Sequence, residues 1–157
     1  MAEIDERLRA IEDRFAILDL ESRYAETWDF GQAEDWATLF TEDGEFQMLA
    51  VGNIPHARVN GHAQLREFCI QISQHWRGLH FMHPPRLDLD GDVASSLIYF
   101  EFRHVMHGGD AHVRQGMTAG HYRTRYRRTP HGWRIRSRME QAVFEELGHA
   151  YKVTPSP

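Results

Sequence analysis

Histidine is the most informative residue type in this sequence. Eleven of the 157 residues are His, and imidazole, which titrates near neutral pH, serves both proton transfer and metal binding. His104 lies in the alternating run Val93–Met106, where the even positions Phe100, Phe102 and Met106 are apolar. It therefore shares their face of a strand, where it must find a partner or line a cavity. His80 and His83 stand three apart in LHFMHPP. On a regular strand they point to opposite faces, so a shared metal ion requires a bulge or bend, which Pro84 and Pro85 could supply. Strict alternation places His83, not His80, with Leu87 and Leu89, and prolines can shift that register, so periodicity leaves the face of His80 open. Near the end of an amphipathic helix, Tyr24 follows Leu20 by four and Asp29 follows Tyr24 by five. A carboxylate at a helix C-terminus opposes the macrodipole and calls for a partner. A histidine would make it half of a general base; the alternative is a solvated aspartate.

The elements that must position these groups change type partway along the chain. Ile4, Leu8, Ile11, Phe15 and Leu18 recur at spacings of four and three, an apolar seam that predicts a first helix running to about Asp29, with Gly31 as its stop. Residues 32–40 predict a second short helix around Trp36 and Leu39, residues 41–44 a turn, and 45–51 a strand. Residues 52–61 predict a loop, and a third helix carries Leu65, Phe68, Cys69, Ile72 and Trp76. From Leu79 the period becomes two, predicting four long strands over 79–89, 93–106, 113–128 and 133–144, with turns at 90–92, 108–110 and 130–132. Arg123, Arg125 and Arg127 with Arg134, Arg136 and Arg138 read as a basic stripe on an exposed sheet face or subunit contact. Helices first and consecutive strands last imply an α+β domain with a mostly antiparallel sheet.

Composition narrows the function classes. With 41% apolar and 26% charged residues the chain is ordinary globular material. No apolar run is long enough to span a bilayer, and the mixed-charge start MAEIDERLRA lacks a signal-peptide core. A net charge of −5 argues against nucleic acid as the main partner. One cysteine, Cys69, cannot form an internal disulfide and fits a reducing, cytoplasmic setting. Dinucleotide, phosphate-loop, zincin and hydrolase-elbow motifs are all missing.

The ordered pieces Tyr24-x4-Asp29, Asp35-Trp36-x2-Leu39-Phe40-Thr41-x-Asp43-Gly44, Gly61-x3-Leu65-x2-Phe68, His80-x9-Asp90-Gly91-Asp92, Gly120-x-Tyr122 and Gly132-Trp133-Arg134-Ile135 resemble the SnoaL-like family of the nuclear-transport-factor-two-like superfamily. Within it the pieces resemble the scytalone dehydratase and bile-acid 7α-dehydratase branch. The resemblance implies a cone-shaped α+β barrel, a curved sheet wrapped on three N-terminal helices around a deep apolar pocket. It implies one domain over residues 1–150 with a tail over 151–157.

The resemblance also implies roles. Asp29 falls on the family's dyad aspartate, His80 on the dyad histidine, Tyr24 on a catalytic tyrosine, and His104 near a second histidine. Trp28 stands where scytalone dehydratase has a tyrosine, and Phe102 near a bile-acid dehydratase aspartate, so neither full set is present. Trp28, Phe46, Met48, Phe68, Ile72, His83, Phe100, Phe102 and Met106 are the expected pocket residues. The implied activity is a cofactor-independent, metal-free lyase or isomerase acting on a cyclic apolar small molecule. A non-catalytic binding protein or subunit of the same fold is the alternative. A metal site built from His80, His83, His104 and His107 is a third reading. The expected assembly is a trimer or dimer, with no membrane or nucleic-acid partner.

Overall fold

The computed structural model describes residues 2–52, 54, 56–107 and 112–152. Helix α1 covers Ala2–Asp29, α2 Ala33–Thr38 and α3 Gly61–His75. The strands are β1 Phe40–Met48, β2 Ala57–Asn60, β3 Trp76–Met82, β4 Arg86–Asp90, β5 Val93–His107, β6 His112–Thr129 and β7 Gly132–Lys152. Gly31, with φ of +68°, takes the left-handed turn that ends α1. Among the described residues no helix is long and apolar enough to cross a membrane.

The strands form one curved, unclosed sheet in the order β2-β1-β7-β6-β5-β3, with β4 also paired to β5. Every pairing is antiparallel except that of β1 with β7. The helices pack against one face of it. The core between them is built from Trp36, Tyr24, Phe40, Phe46, Leu65, Ile98 and Ile135.

Several local expectations are corrected, beginning with Trp76, read with the third helix, which opens β3, and Phe40, read with the second, which opens β1. The residues read as a turn at 41–44 belong to β1, whose pairing with β7 is interrupted by an irregularity between Phe40 and Glu45. The expected loop at 52–61 contains β2. The single strand expected over 79–89 is two, because Met82 pairs Phe100 while Arg86 pairs Leu97. One extra residue around the prolines shifts the alternation between β3 and β4. The last strand extends beyond Phe144 to Lys152. The turn expected at 108–110 lies outside the described residues, as does the tail beyond residue 152.

The largest correction concerns α1. Its buried face is Asp13, Ile17, Leu20, Glu21, Tyr24 and Thr27, whereas Ile4, Leu8, Ile11, Phe15 and Leu18 are exposed. The core-facing stripe includes two carboxylates, neutralised by arginines from the sheet: Asp13 by Arg128 and Glu21 by Arg138. A reading of apolar periodicity passes over such a face and selects the other one.

Candidate active site

Strand β3 alternates half-buried even positions with exposed odd ones, and this turns His80 toward the helices. There the last residue of α1 meets it. Asp29 Oδ1 lies 2.6 Å from His80 Nδ1, and its Oδ2 accepts the His80 backbone N–H at 2.8 Å. Both carboxylate oxygens are thus committed to one residue, and the side chains are nearly buried, at 6% exposure for His80 and 8% for Asp29. The carboxylate at the helix end has the partner that its position required. With Asp29 as acceptor, the ring carries its proton on Nδ1, and Nε2 keeps the lone pair. The imidazole packs against Phe102 at 4.5 Å between ring centres, and the Tyr24 and Trp28 rings stand nearly edge-on to it at 6.4 Å.

His80 borders a largely apolar cavity that opens to solvent. Its walls include Trp28, Phe46, Met48, Phe68, Ile72, Phe100 and Phe102, together with Tyr24 and His104. Asp29 stands behind His80, off this cavity. His83 is exposed on the outer surface of the sheet beside Tyr99 and Phe144. It continues the alternation of β3 opposite Tyr99, and the slip toward β4 falls after it. Met106 is half-buried, pairs with Trp76 at the end of β5, and is not among the cavity walls. His83 and Met106 are therefore not brought to the pocket, and the His107 side chain lies outside the described residues. His80 and His83 do not share a metal-binding arrangement. Among the described residues no group of three or more His, Cys, Asp or Glu side chains could hold a metal ion.

Three ionisable wall residues escaped the sequence reading. The Tyr122 hydroxyl lies 3.3 Å from His80 Nε2, and it also hydrogen-bonds the Glu140 carboxylate. Glu140 is Tyr122's register partner on β7. The third is Glu145. The inward turn of Arg138 and Glu140 is the work of a bulge. Arg125 pairs Ser137 but Tyr126 pairs Ile135, so Arg136 and Ser137 together oppose a single step on β6. Before the bulge the odd positions Trp133 and Ile135 are buried; after it the even positions Arg138 and Ala142 are. Arg138, expected on the exposed stripe, is instead fully buried. Its guanidinium lies 3.8 Å from the centre of the Tyr24 ring and 4.8 Å from that of Tyr122, and it is ion-paired to Glu21. A second slip, between Ala119 and Gly120, exposes Val143 and Phe144 and admits Glu145 to the cavity wall. Alternation along Tyr122, Thr124 and Tyr126 could have marked Tyr122 as inward-facing. Nothing local to β7 marks its bulges.

The electrostatics follow from burial. Desolvation raises the Tyr24 and Tyr122 hydroxyls above their usual range, so both remain proton donors. Desolvation also raises Glu140, to about 7, against the opposing pull of Arg138 and the Tyr122 hydrogen bond. Burial lowers His104, with Glu145 acting in the other direction, so this imidazole is neutral near pH 7. His104 Nε2 meets Thr118 Oγ1 at 3.3 Å, while its buried Nδ1 has no hydrogen-bond partner. Gly116 makes room for this ring, since a Cβ there would lie 2.6 Å from His104 Cε1.

A family model described as a SnoaL-like domain matches residues 9–139. The chain belongs to the SnoaL-like family. Solved structures agree on the fold. This SnoaL-like chain is 28% identical to a protein from Novosphingobium aromaticivorans designated a candidate aromatic ring hydroxylase, over 88% of this chain and 93% of that one, with a TM-score of 0.75. It is 25% identical to a nuclear-transport-factor-two-like protein with a cystatin-like fold from the same organism, over 91% and 90%, with a TM-score of 0.69. A type 2 hexachlorocyclohexane dehydrochlorinase superposes at a TM-score of 0.81 over 95% and 97% of the two chains, at 16% identity. No curated protein matches the sequence.

Proposed function

We propose that this SnoaL-like protein is a cofactor-independent lyase or isomerase of the dehydratase kind, with His80 as general base toward a cyclic apolar small molecule. The observation that carries the proposal is the commitment of both Asp29 oxygens to His80, which leaves Nε2 facing an apolar cavity. In this scheme Nε2 takes a proton from a carbon beside a carbonyl or leaving group. The C–H electron pair forms the new double bond, and the leaving group departs with its own pair or, in an isomerisation, charge collects on an enolate oxygen. Asp29 is a positioning residue that holds the tautomer and stabilises the imidazolium. Tyr122, Tyr24 and His104 are the donors available to the departing hydroxyl or the enolate. The Tyr122 hydroxyl engages Nε2, so substrate must share or displace it. The aromatic walls select flat or cyclic carbon skeletons. A cytoplasmic location belongs to the same proposal, resting on the single buried Cys69, whose thiol burial pushes up to about 11.

The test uses three probes in deuterated buffer: a cyclic β-hydroxyketone, a β,γ-unsaturated cyclic ketone and hexachlorocyclohexane. Conjugated-enone absorbance, chloride release and carbon-bound deuterium are followed. The expected result is turnover or exchange on at least one probe, abolished in His80→Ala. Tight binding of the probes with no exchange, and no change in His80→Ala, would instead support a non-catalytic binding role.

A further inference from the structure

The first half of α1 has no core to support it. Residues 3–12 are all exposed, and the first buried residue of the helix is Asp13. A helical stretch of about 10 residues is marginal in water without tertiary packing. This one nevertheless carries Ile4, Leu8, Ile11, Phe15 and Leu18 on its outer side, at exposures of 38% for Leu18 to 67% for Phe15. Their spacing of four, three, four and three is that of a heptad seam, with Leu8 and Phe15 at a positions and Ile4, Ile11 and Leu18 at d. The core face, through Asp13, Ile17, Leu20 and Tyr24, lies on the opposite side of the helix. Helices could therefore meet along the seam with the bodies of the protein pointing outward.

The flanking charges identify the occupant. The e positions are Asp5, Glu12 and Asp19; the g positions that flank the exposed seam are Arg7 and Arg14. In a parallel arrangement each g residue faces the e residue five places on in the neighbouring helix. Arg7 of one copy then faces Glu12 of the next, and Arg14 faces Asp19. Within its own chain Arg14 makes a 3.4 Å contact to the Leu87 carbonyl and stays exposed. An antiparallel arrangement would set arginine against arginine and acid against acid. We propose that copies of this chain associate through a parallel helical bundle formed by the exposed seam of α1. Around Leu8 the seam has leucine at a between isoleucines at d, the pattern that favours three or four strands over two, while Phe15 and Leu18 depart from it. The outer sheet face also exposes apolar residues, Leu79, Tyr99, Val143 and Phe144 among them, and is the competing contact that the test separates.

The test measures the mass of the full chain by sedimentation equilibrium from about 1 to 100 μM, a range that brackets ordinary subunit affinities. Three or four chain masses are expected for the wild type. Leu8→Asp with Ile11→Asp should fall to a single chain mass with its thermal unfolding as cooperative as before. Arg7→Glu with Arg14→Glu should also dissociate, and adding Glu12→Arg with Asp19→Arg should restore the assembly. Ile4→Cys should form a disulfide between identical positions under mild oxidation, because parallel strands bring them together and Cys69 is buried. A monomeric wild type would overturn the proposal. So would an assembly that survives Leu8→Asp with Ile11→Asp, or one that dissociates only in Tyr99→Glu with Val143→Glu.

Discussion

Helix α1 presents three carboxylates, Asp13, Glu21 and Asp29, to cationic or basic partners on the sheet, and the last two pairs end differently. Glu21 meets Arg138 in the core, and the shell around them is nearly closed. Tyr126 donates to Glu21 at 2.6 Å, Ser96 and Tyr126 share a hydrogen bond at 2.6 Å, and Arg138 Nε donates to Thr124 at 3.0 Å. The guanidinium faces the Tyr24 and Tyr122 rings. Arginine keeps its charge at any accessible pH, so this pair has no second state to occupy. Asp29 meets His80 eight residues further along the helix. Here the base can gain and lose a proton, and its second nitrogen opens on a cavity. A buried pair sealed in the core, with a cation that cannot lose its proton, is structure; one with a nitrogen left open toward space on a base that can take a proton can do chemistry.

The sharpest way to break this contrast is to make the same change in both pairs. Asn at position 29 keeps the shape but supplies the wrong partner for Nδ1–H. Asp29→Asn should cut turnover of a responsive probe by about 10³–10⁴-fold, or roughly 4–5 kcal/mol of barrier. It should shift the unfolding midpoint little. His80→Ala should cost at least as much, and the double variant little more, because the two act as a unit. Additive losses would separate them.

The core pair should respond in stability. Arg138→Met leaves the Glu21 charge buried and should cost about 3–5 kcal/mol in urea unfolding. Adding Glu21→Leu should recover much of it, since a well-packed apolar pair can replace a buried ionic one. A loss below about 1 kcal/mol in Arg138→Met would show that the shell is less closed than its contacts indicate.

Glu140 lies between the two pairs, hydrogen-bonded to Tyr122 and under the influence of Arg138. Its folded pKa of about 7 is above the ordinary 4.5, so the protonated form is the one the fold favours. Its contribution is fully present below the unfolded pKa and is lost as pH rises through about 7. Glu140→Gln should therefore match the wild type near pH 4.5 and exceed it at pH 8 by about 3 kcal/mol, as measured by urea unfolding at both pH values. His104 runs the other way. Burial lowers its pKa, so its contribution is present above the ordinary value of 6.5 and is lost as pH falls through the depressed one. Its window therefore shapes the acid limb in both proteins alike. The smallest effect belongs to Tyr122→Phe. It removes one hydroxyl that touches both His80 and Glu140, costs about 1 kcal/mol of stability, and should move the pH–rate profile by freeing His80 Nε2.

Much of this architecture was legible in the residues. The switch from helical to strand period, which falls at Trp76, three residues before the pattern placed it, the stop at Gly31 and the long strands β5 and β6 all follow from local pattern. So does the inward face shared by His104, Phe100 and Phe102. Asp29 was recognisable as a carboxylate in need of a partner because it ends a helix. Arg138 and Glu140 were not legible as interior residues. Strand alternation is a local rule, and a bulge breaks it only through pairing with the neighbouring strand, 14 residues away between Thr124 and Arg138. The core face of α1 was hidden for a related reason, since Asp13 and Glu21 become interior residues only with Arg128 and Arg138 beside them.

The sequence by itself determined which groups could move protons, where helices give way to strands, and which positions alternate between the faces of a regular strand. The tertiary structure alone decided which of two heptad-spaced faces of α1 is buried and that His80, not His83, turns inward. It also brought Asp29 to His80 across 51 residues of chain. Periodicity is carried by neighbours along the backbone. Register slips, ion pairs and the choice of buried face are instead set by what lies across the sheet, and no local stretch of sequence contains that information.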